Sequence, residues 1–301
     1  MILVTGATGF VGREIVRELA EAGHPVRALV RSEATSGPIR PWVAEVARGD
    51  VTDPASVRAA ARGCRAVVHL VAIRRQWGAR TFEAITAQGA VHAVQAAVDA
   101  GAEHFVLMSA LGLTDNPTTG YMKAKKKAEE AVRASGIPFT IFRPSFVVGP
   151  GGFVEEYAGL IRKAPFVPIP GTGRYPVQPV DRRDVARAFR RALEVPAARG
   201  RTYDLAGPER VSFEDFIAEI MAAMGIRKGR LHVPLAVMRP VAAVLERLTP
   251  NPPATTDEIA MLEAGNVGDP GPAERDLGVT PRPLREAVQG AVEGLRREGR
   301  L

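Results

Sequence analysis

The chain has 301 residues, 46% hydrophobic and 24% charged, with a net charge of +7. The length suggests one large or two modest domains. A single cysteine, Cys64, excludes a disulfide framework and a thiolate metal site, and no apolar run reaches the roughly 20 residues that span a bilayer. The basic residues are scattered and aromatics make up only 6%. That argues against the aromatic-interleaved basic stripe of single-strand binders, so no nucleic-acid partner is expected.

In chain order, residues 2–5 form an apolar strand, followed by Gly6-x-x-Gly9-x-x-Gly12. An amphipathic helix opens near Phe10, runs over 11–22 and is closed by Gly23. Strands are predicted at 26–30, at 43–47 (ending in Gly49-Asp50), at 66–71, at 104–108 and at 139–142, the last stopped by Arg143-Pro144. Between them lie helices at 54–61, started by Asp53-Pro54, at 81–100, and at 119–134, closed by Ser135-Gly136. Apolar strands separated by helices imply a parallel sheet buried on both faces, and right-handed crossovers make it doubly wound. The fold class is therefore α/β, with a dinucleotide-binding Rossmann domain over residues 1–150.

After Gly149-Pro150-Gly151-Gly152 the texture changes, and Pro and Gly become frequent between 164 and 179. Residues 151–301 read as a smaller, mostly helical substrate region. Helices are expected at 153–162, 181–193, 212–224, 234–248, 255–264 and 283–297. Short strand signals near 177–180 and 202–205 are expected to return to the main sheet. The apolar stretch 231–248 reads as a helix pair packing on the core or, alternatively, as an interfacial segment.

The glycine turn between an apolar strand and a helix makes a phosphate cradle. Small residues let the backbone approach a pyrophosphate, and the helix N-terminus presents amides and a positive dipole end. Its spacing differs from the G-x-G-x-x-G of ordinary dinucleotide domains. It matches the G-x-x-G-x-x-G of short-chain dehydrogenase/reductase proteins, which the chain resembles. Further along, Tyr121 and Lys125 stand four apart on a predicted helix, and so on one face. A free phenol has a pKa of about 10, and a neighbouring ammonium is expected to lower it. Such a tyrosine can pass a proton to or from a substrate oxygen.

The resemblance implies that Tyr121 is the acid/base and that Lys125 is its electrostatic partner and also holds the nicotinamide ribose. Ser109, at the end of the fifth strand, is the candidate substrate orienter. Family members often carry a second hydroxyl next, where Ala110 stands here, and a helix asparagine, where Thr86 stands here. The implied cofactor contacts are Gly6, Thr8, Gly9, Phe10, Val11 and Gly12 at the phosphates. Asp50 and Val51 would flank the adenine. Val71, Ala72, Ile73, Met108 and Ser109 line the strand ends, and Pro144, Ser145 and Phe146 form the nicotinamide-side loop. The second strand ends in Arg31-Ser32 with no carboxylate, and a guanidinium there pairs with a 2′-phosphate, so NADP(H) is favoured over NAD(H). Within the family the chain looks most similar to the atypical extended proteins grouped with the 39 kDa accessory subunit of respiratory complex I. The Ala110-Leu111-Gly112 run and the phrase Met261-Leu262-Glu263-Ala264-Gly265-Asn266-Val267 point there.

These readings predict an NAD(P)-binding oxidoreductase, or an epimerase or dehydratase, acting on a small molecule. The alternative is an accessory or redox-sensing protein that binds NAD(P)H without chemistry. A weaker third reading is a reductase at a quinone or lipid surface. No metal is expected, because the five histidines show no ligand spacing. A homodimer and peripheral association with a membrane or respiratory complex are the open partner readings, and the cytoplasm is the expected location.

Overall fold

The structure, a computed structural model, describes residues 1–301. It opens with β1 (Ile2–Thr5), α1 (Gly12–Glu21), β2 (Val26–Val30), β3 (Glu45–Arg48), α2 (Pro54–Ala61) and β4 (Ala66–His69). A π-helical turn over Phe82–Ala87 then leads into α3 (Gln88–Asp99), followed by β5 (His104–Met108), α4 (Gly120–Ala134) and β6 (Phe139–Pro144). Next come β7 (Val147–Val148), α5 (Gly152–Lys163), β8 (Val167–Pro170), β9 (Pro176–Val177), β10 (Val180–Asp181), α6 (Arg182–Glu194) and β11 (Arg201–Leu205). The chain ends with β12 (Val211–Ser212), α7 (Phe213–Met224), β13 (Arg230–Val233), α8 (Leu235–Leu248), α9 (Thr256–Glu263), α10 (Gly271–Leu277) and α11 (Leu284–Arg297).

Two compact units share these elements. The first comprises Met1–Pro144, Arg183–Asp204 and Gly271–Thr280; the second comprises Ser145–Arg182, Leu205–Pro270 and Pro281–Leu301. The sheet of the first unit has the order β11-β6-β5-β4-β1-β2-β3. From β3 to β6 its pairings are parallel, with Ile2 opposite both Val26 and Ala66. Strand order reverses between β1 and β4, and ligands of open α/β sheets bind at the carboxyl ends beside such a switch point. β1 and β4 are buried at every residue, as strands covered on both faces must be. Leu3, Val67, Phe105 and Ile141 from the sheet pack with Val57, Ala93 and Val132 from the helices. Local signals start the helices as expected: Asp53 caps α2 through Ala55 N–H, and Thr119 caps α4 through Met122 N–H.

The second unit has its own core, in which Val154, Ile161, Phe213, Phe216, Val288 and Leu295 meet. Here the structure corrects several expectations. The 177–180 signal does not join the main sheet. It divides into β9, antiparallel to β12, and β10, parallel to β7. Pro179 sits between the two and has no N–H to extend a ladder, while buried Gln178 turns inward and donates to Gly207 O. Only β11 reaches the large sheet, beside β6. The proline-rich 164–179 stretch contains a strand, β8, which pairs in parallel with β13. The 231–248 stretch is therefore a strand and one helix, and α8 buries only Ala242, so it does not pack on the core as a helix pair.

Candidate active site

Backbone geometry makes the glycine turn. Gly6 follows β1 at φ +77°, a conformation that L side chains rarely adopt. A Cβ on Gly12 would stand 2.1 Å from the Gly6 carbonyl oxygen, so the turn closes only with glycine there. α1 starts at Gly12 with no side chain capping its N-terminus. The acidic residue of its first turn, Glu14, is ion-paired with Arg17, and Arg13 Nε reaches back 2.9 Å to Thr8 O. A side-chain-free turn at an uncapped helix start fits the pyrophosphate of a nicotinamide dinucleotide. Arg31 and Ser32 follow β2, both exposed. The remaining predicted contacts divide. Asp50 turns its carboxylate to Thr52 N–H and hydroxyl at 2.9 and 2.8 Å, and Val51 is buried, its carbonyl hydrogen-bonded to His92 Nδ1. Both therefore hold the loop after β3 in place. Val71, Ala72 and Ile73 stay half-buried after β4.

Tyr121 and Lys125 share one face of α4, with the Lys125 ammonium 5.7 Å from the centre of the Tyr121 ring. Phe82 meets that ring edge-on at 5.8 Å, and Ile73, Ala87 and Ala124 complete the cluster. Lys125 Nζ donates to Met108 O at 2.7 Å, tying α4 to the end of β5. The four neighbouring lysines have different fates: Lys125 is buried and Lys126 half-buried, whereas Lys123 and Lys127 are exposed and Lys127 pairs with Glu83 at 2.7 Å. Burial lowers the Lys125 ammonium to about 8, and Glu129 resists that shift. The expected depression of the Tyr121 phenol is reversed. Part of the side chain reaches solvent, yet burial raises the phenol to about 12, against a smaller opposing pull from Arg74. Loss of solvation outweighs the Arg74 charge.

Ser109 is 2% exposed, and its hydroxyl donates to Glu129 Oε1 at 2.6 Å. Arg143 grips both oxygens of the same carboxylate at 2.8 Å, and Arg133 adds a contact at 3.3 Å. Burial would raise the Glu129 carboxyl, but the Arg143 and Ser109 hydrogen bonds outweigh it and hold it below the ordinary value. Sequence reasoning missed Glu129, although it continues the spacing of Tyr121 and Lys125 by four more residues along α4. Thr86, where the family places asparagine, is buried and accepts a hydrogen bond from Ile73 N–H. It thereby pins the loop after β4.

Pro144 O accepts from Leu111 N–H. Ser145 and Phe146 belong to the second unit, where Ser145 Oγ and Phe146 N–H both bond Asn266. The Phe146 ring packs among Phe153, Phe213 and Phe216. Their side chains thus serve that unit's interior. His69 sits at the end of β4, fully enclosed, with Nδ1 hydrogen-bonded to Thr5 Oγ1 at 2.8 Å. Cys64 is buried and its thiol is pushed up by desolvation, the profile of an inert cysteine. An open cavity of about 580 Å³ lies along α4, lined by Phe82, Asp115, Lys123 and Lys127; neither Tyr121 nor Lys125 lines it. No helix is long and apolar enough to cross a membrane.

The seven-stranded parallel-type sheet and the glycine turn beside its switch point are those of a nicotinamide-dinucleotide-binding fold. The chain belongs to the NAD(P)H-binding family, which it matches over residues 6–196. It is 30% identical to the NAD(P)H azoreductase of Xenophilus azovorans, over 75% of this chain and 74% of that protein. It is 34% identical to the ceramide reductase of Caulobacter vibrioides over 56% of this chain, a match that spans about half (52%) of that relative's length. Its fold is that of a short-chain dehydrogenase/reductase superfamily protein from Agrobacterium tumefaciens solved with NAD, at a TM-score of 0.76 and 20% identity over 99% and 98% of the two chains. These relatives do not carry the expected likeness to the complex I subunit group.

Proposed function

We propose that the protein is an NADP(H)-dependent reductase in which Tyr121 gives the proton to a small carbonyl or otherwise unsaturated substrate. The observation that carries this reading is the Tyr121 ring set beside the buried Lys125 on one face of α4. The phenol is protonated throughout the physiological range, so it starts the reductive step as the proton donor. When bound, the cofactor supplies the hydride. Lys125, fixed to Met108 O, keeps a positive charge beside the ring whose oxygen becomes phenolate, and solvent returns the proton. Glu129 opposes the loss of that charge. The preference for NADP(H) rests on Arg31, exposed after β2 where NAD-binding relatives of this fold carry an acidic residue, because a guanidinium matches a 2′-phosphate bidentately.

Two variants test the proposal. Tyr121→Phe should lower turnover about 10²- to 10⁴-fold while leaving NADPH affinity unchanged; unaltered turnover would reject the mechanism. Arg31→Asp should weaken NADPH by at least about tenfold, a difference of about 1.4 kcal/mol, with little effect on NADH. Equal losses for both nucleotides would reject the stated preference.

A second reading, a nicotinamide-binding protein without turnover, is favoured by one feature. The hydroxyls of Ser109 and Thr86 are both engaged within the protein, and Ala110 has none to offer a substrate oxygen. Under that reading NADPH binds, but no hydride moves to any member of a carbonyl, enone, azo and quinone panel.

A further inference from the structure

We propose that α8 is a docking helix that lies flat on an anionic bilayer surface. Along its 14 residues, Val237, Val241, Val244 and Leu248 are 54%, 51%, 56% and 72% exposed. At about 100° per residue these four positions fall within one narrow stripe. The opposite side of the helix anchors it to the second unit: Ala242 is buried, and Arg239 pairs with Glu263 on α9. The helix therefore turns its apolar stripe to solvent, the reverse of a helix built only to face water. The ribbon that feeds it is also apolar outside, with Leu231 on β13 and Phe166 just before β8 at 55% and 57% exposure.

Charge selects the occupant. Residues 226–249 contain five basic side chains (Arg227, Lys228, Arg230, Arg239 and Arg247) against one acidic, Glu246, so this short segment carries +4 of the chain's net +7. Arg230 and Arg239 are answered by Glu214 and Glu263, and Lys228 donates to the carbonyls of Ile161, Arg162 and Ala164, while Arg227 and Arg247 are exposed without an ion pair, Arg247 next to Leu248 on α8. A net-basic segment that carries an exposed apolar stripe matches a negatively charged headgroup layer over acyl chains. A second copy of the chain fits poorly. A 14-residue helix is only about 21 Å long, and four side chains fall far short of the roughly 800 Å² per partner of a stable interface. Two such faces would also carry like charge. No helix here can cross the bilayer, so attachment is at the surface. The proposal is independent of whether Tyr121 turns over substrate.

Co-sedimentation of the full chain with vesicles tests it. Vesicles of phosphatidylcholine with phosphatidylglycerol should capture the protein at low salt, less so as salt rises, and pure phosphatidylcholine should capture it weakly. The double variant Val241→Glu/Val244→Glu should lose about tenfold or more in capture, with its melting temperature unchanged because both positions are exposed. Leu248→Ser should shift binding the same way. Absence of capture by anionic vesicles at low salt would overturn the proposal, as would undiminished capture of the double variant. A concentration-dependent dimer that the double variant splits, without vesicle binding by the native protein, would overturn it in favour of self-association.

Discussion

Two enclosed histidines should cost the protein stability in mild acid. His69 and His104 are 1% and 4% exposed. Burial, with a smaller contribution from Lys125, lowers His69 to about 3; burial, then Arg199 and Arg65, lowers His104 to about 4; both start from 6.5. His69 pairs with Thr5 and His104 with Thr140, and His69 Nε2 has no partner at all. Each folded value lies below the unfolded one, so the unfolded chain takes up protons first as the pH falls. The stability these neutral rings contribute is intact above about 6.5 and is lost progressively toward about 3. At about pH 5 each site should cost about 2 kcal/mol, together about 4 kcal/mol, against a typical total of about 5–15 kcal/mol. Urea unfolding at about pH 7.5 and about pH 5 measures the loss directly. His69→Asn and His104→Gln separate these rings from the carboxylates, which titrate at lower pH: each variant should be weaker at neutral pH yet recover about 2 kcal/mol of the acid-dependent loss. A variant with the full acid-dependent loss of the native protein would refute the assignment for that ring.

Two further outcomes follow from the site. Glu129→Gln keeps an acceptor for Ser109 but leaves the Arg143 guanidinium facing a neutral group, and should cost about 3 kcal/mol in denaturant unfolding; unchanged stability would show that the carboxylate is not carrying the cluster. Gly12→Ala places a methyl group 2.1 Å from the Gly6 carbonyl oxygen. The backbone must shift, and calorimetry should show NADPH affinity down by about tenfold or more; affinity equal to the native protein's would separate this turn from the cofactor.

Much of the first unit was legible because its signals are local. The strand–glycine–helix opening, the caps at Asp53 and Thr119, and the four-residue step from Tyr121 to Lys125 all depend on neighbours within a turn or two of chain. The glycines at 6 and 12 declared a turn that no other residue could close.

What remained hidden depended on partners distant in sequence. Nothing near Lys125 distinguished it from Lys123 or Lys127; only packing of α4 against the end of β5 buried it. The direction of the Tyr121 shift could not be read from the spacing, since burial raises the phenol against only a smaller pull from Arg74, and burial exists only in the folded chain. Ser109 found Glu129 across 20 residues, and Ser145 found Asn266 across 121. The apolar run at 231–248 reads in sequence as a helix pair on the core or as an interfacial segment; in the fold α8 buries only Ala242, while α5, α7 and α11 build the second unit's core. Sequence alone determined which backbone shapes this chain adopts and which chemistry stands on one helix face. The tertiary structure decided which of those groups lose water and which charge they meet, because desolvation and pairing are properties of enclosed space rather than of spacing along a chain.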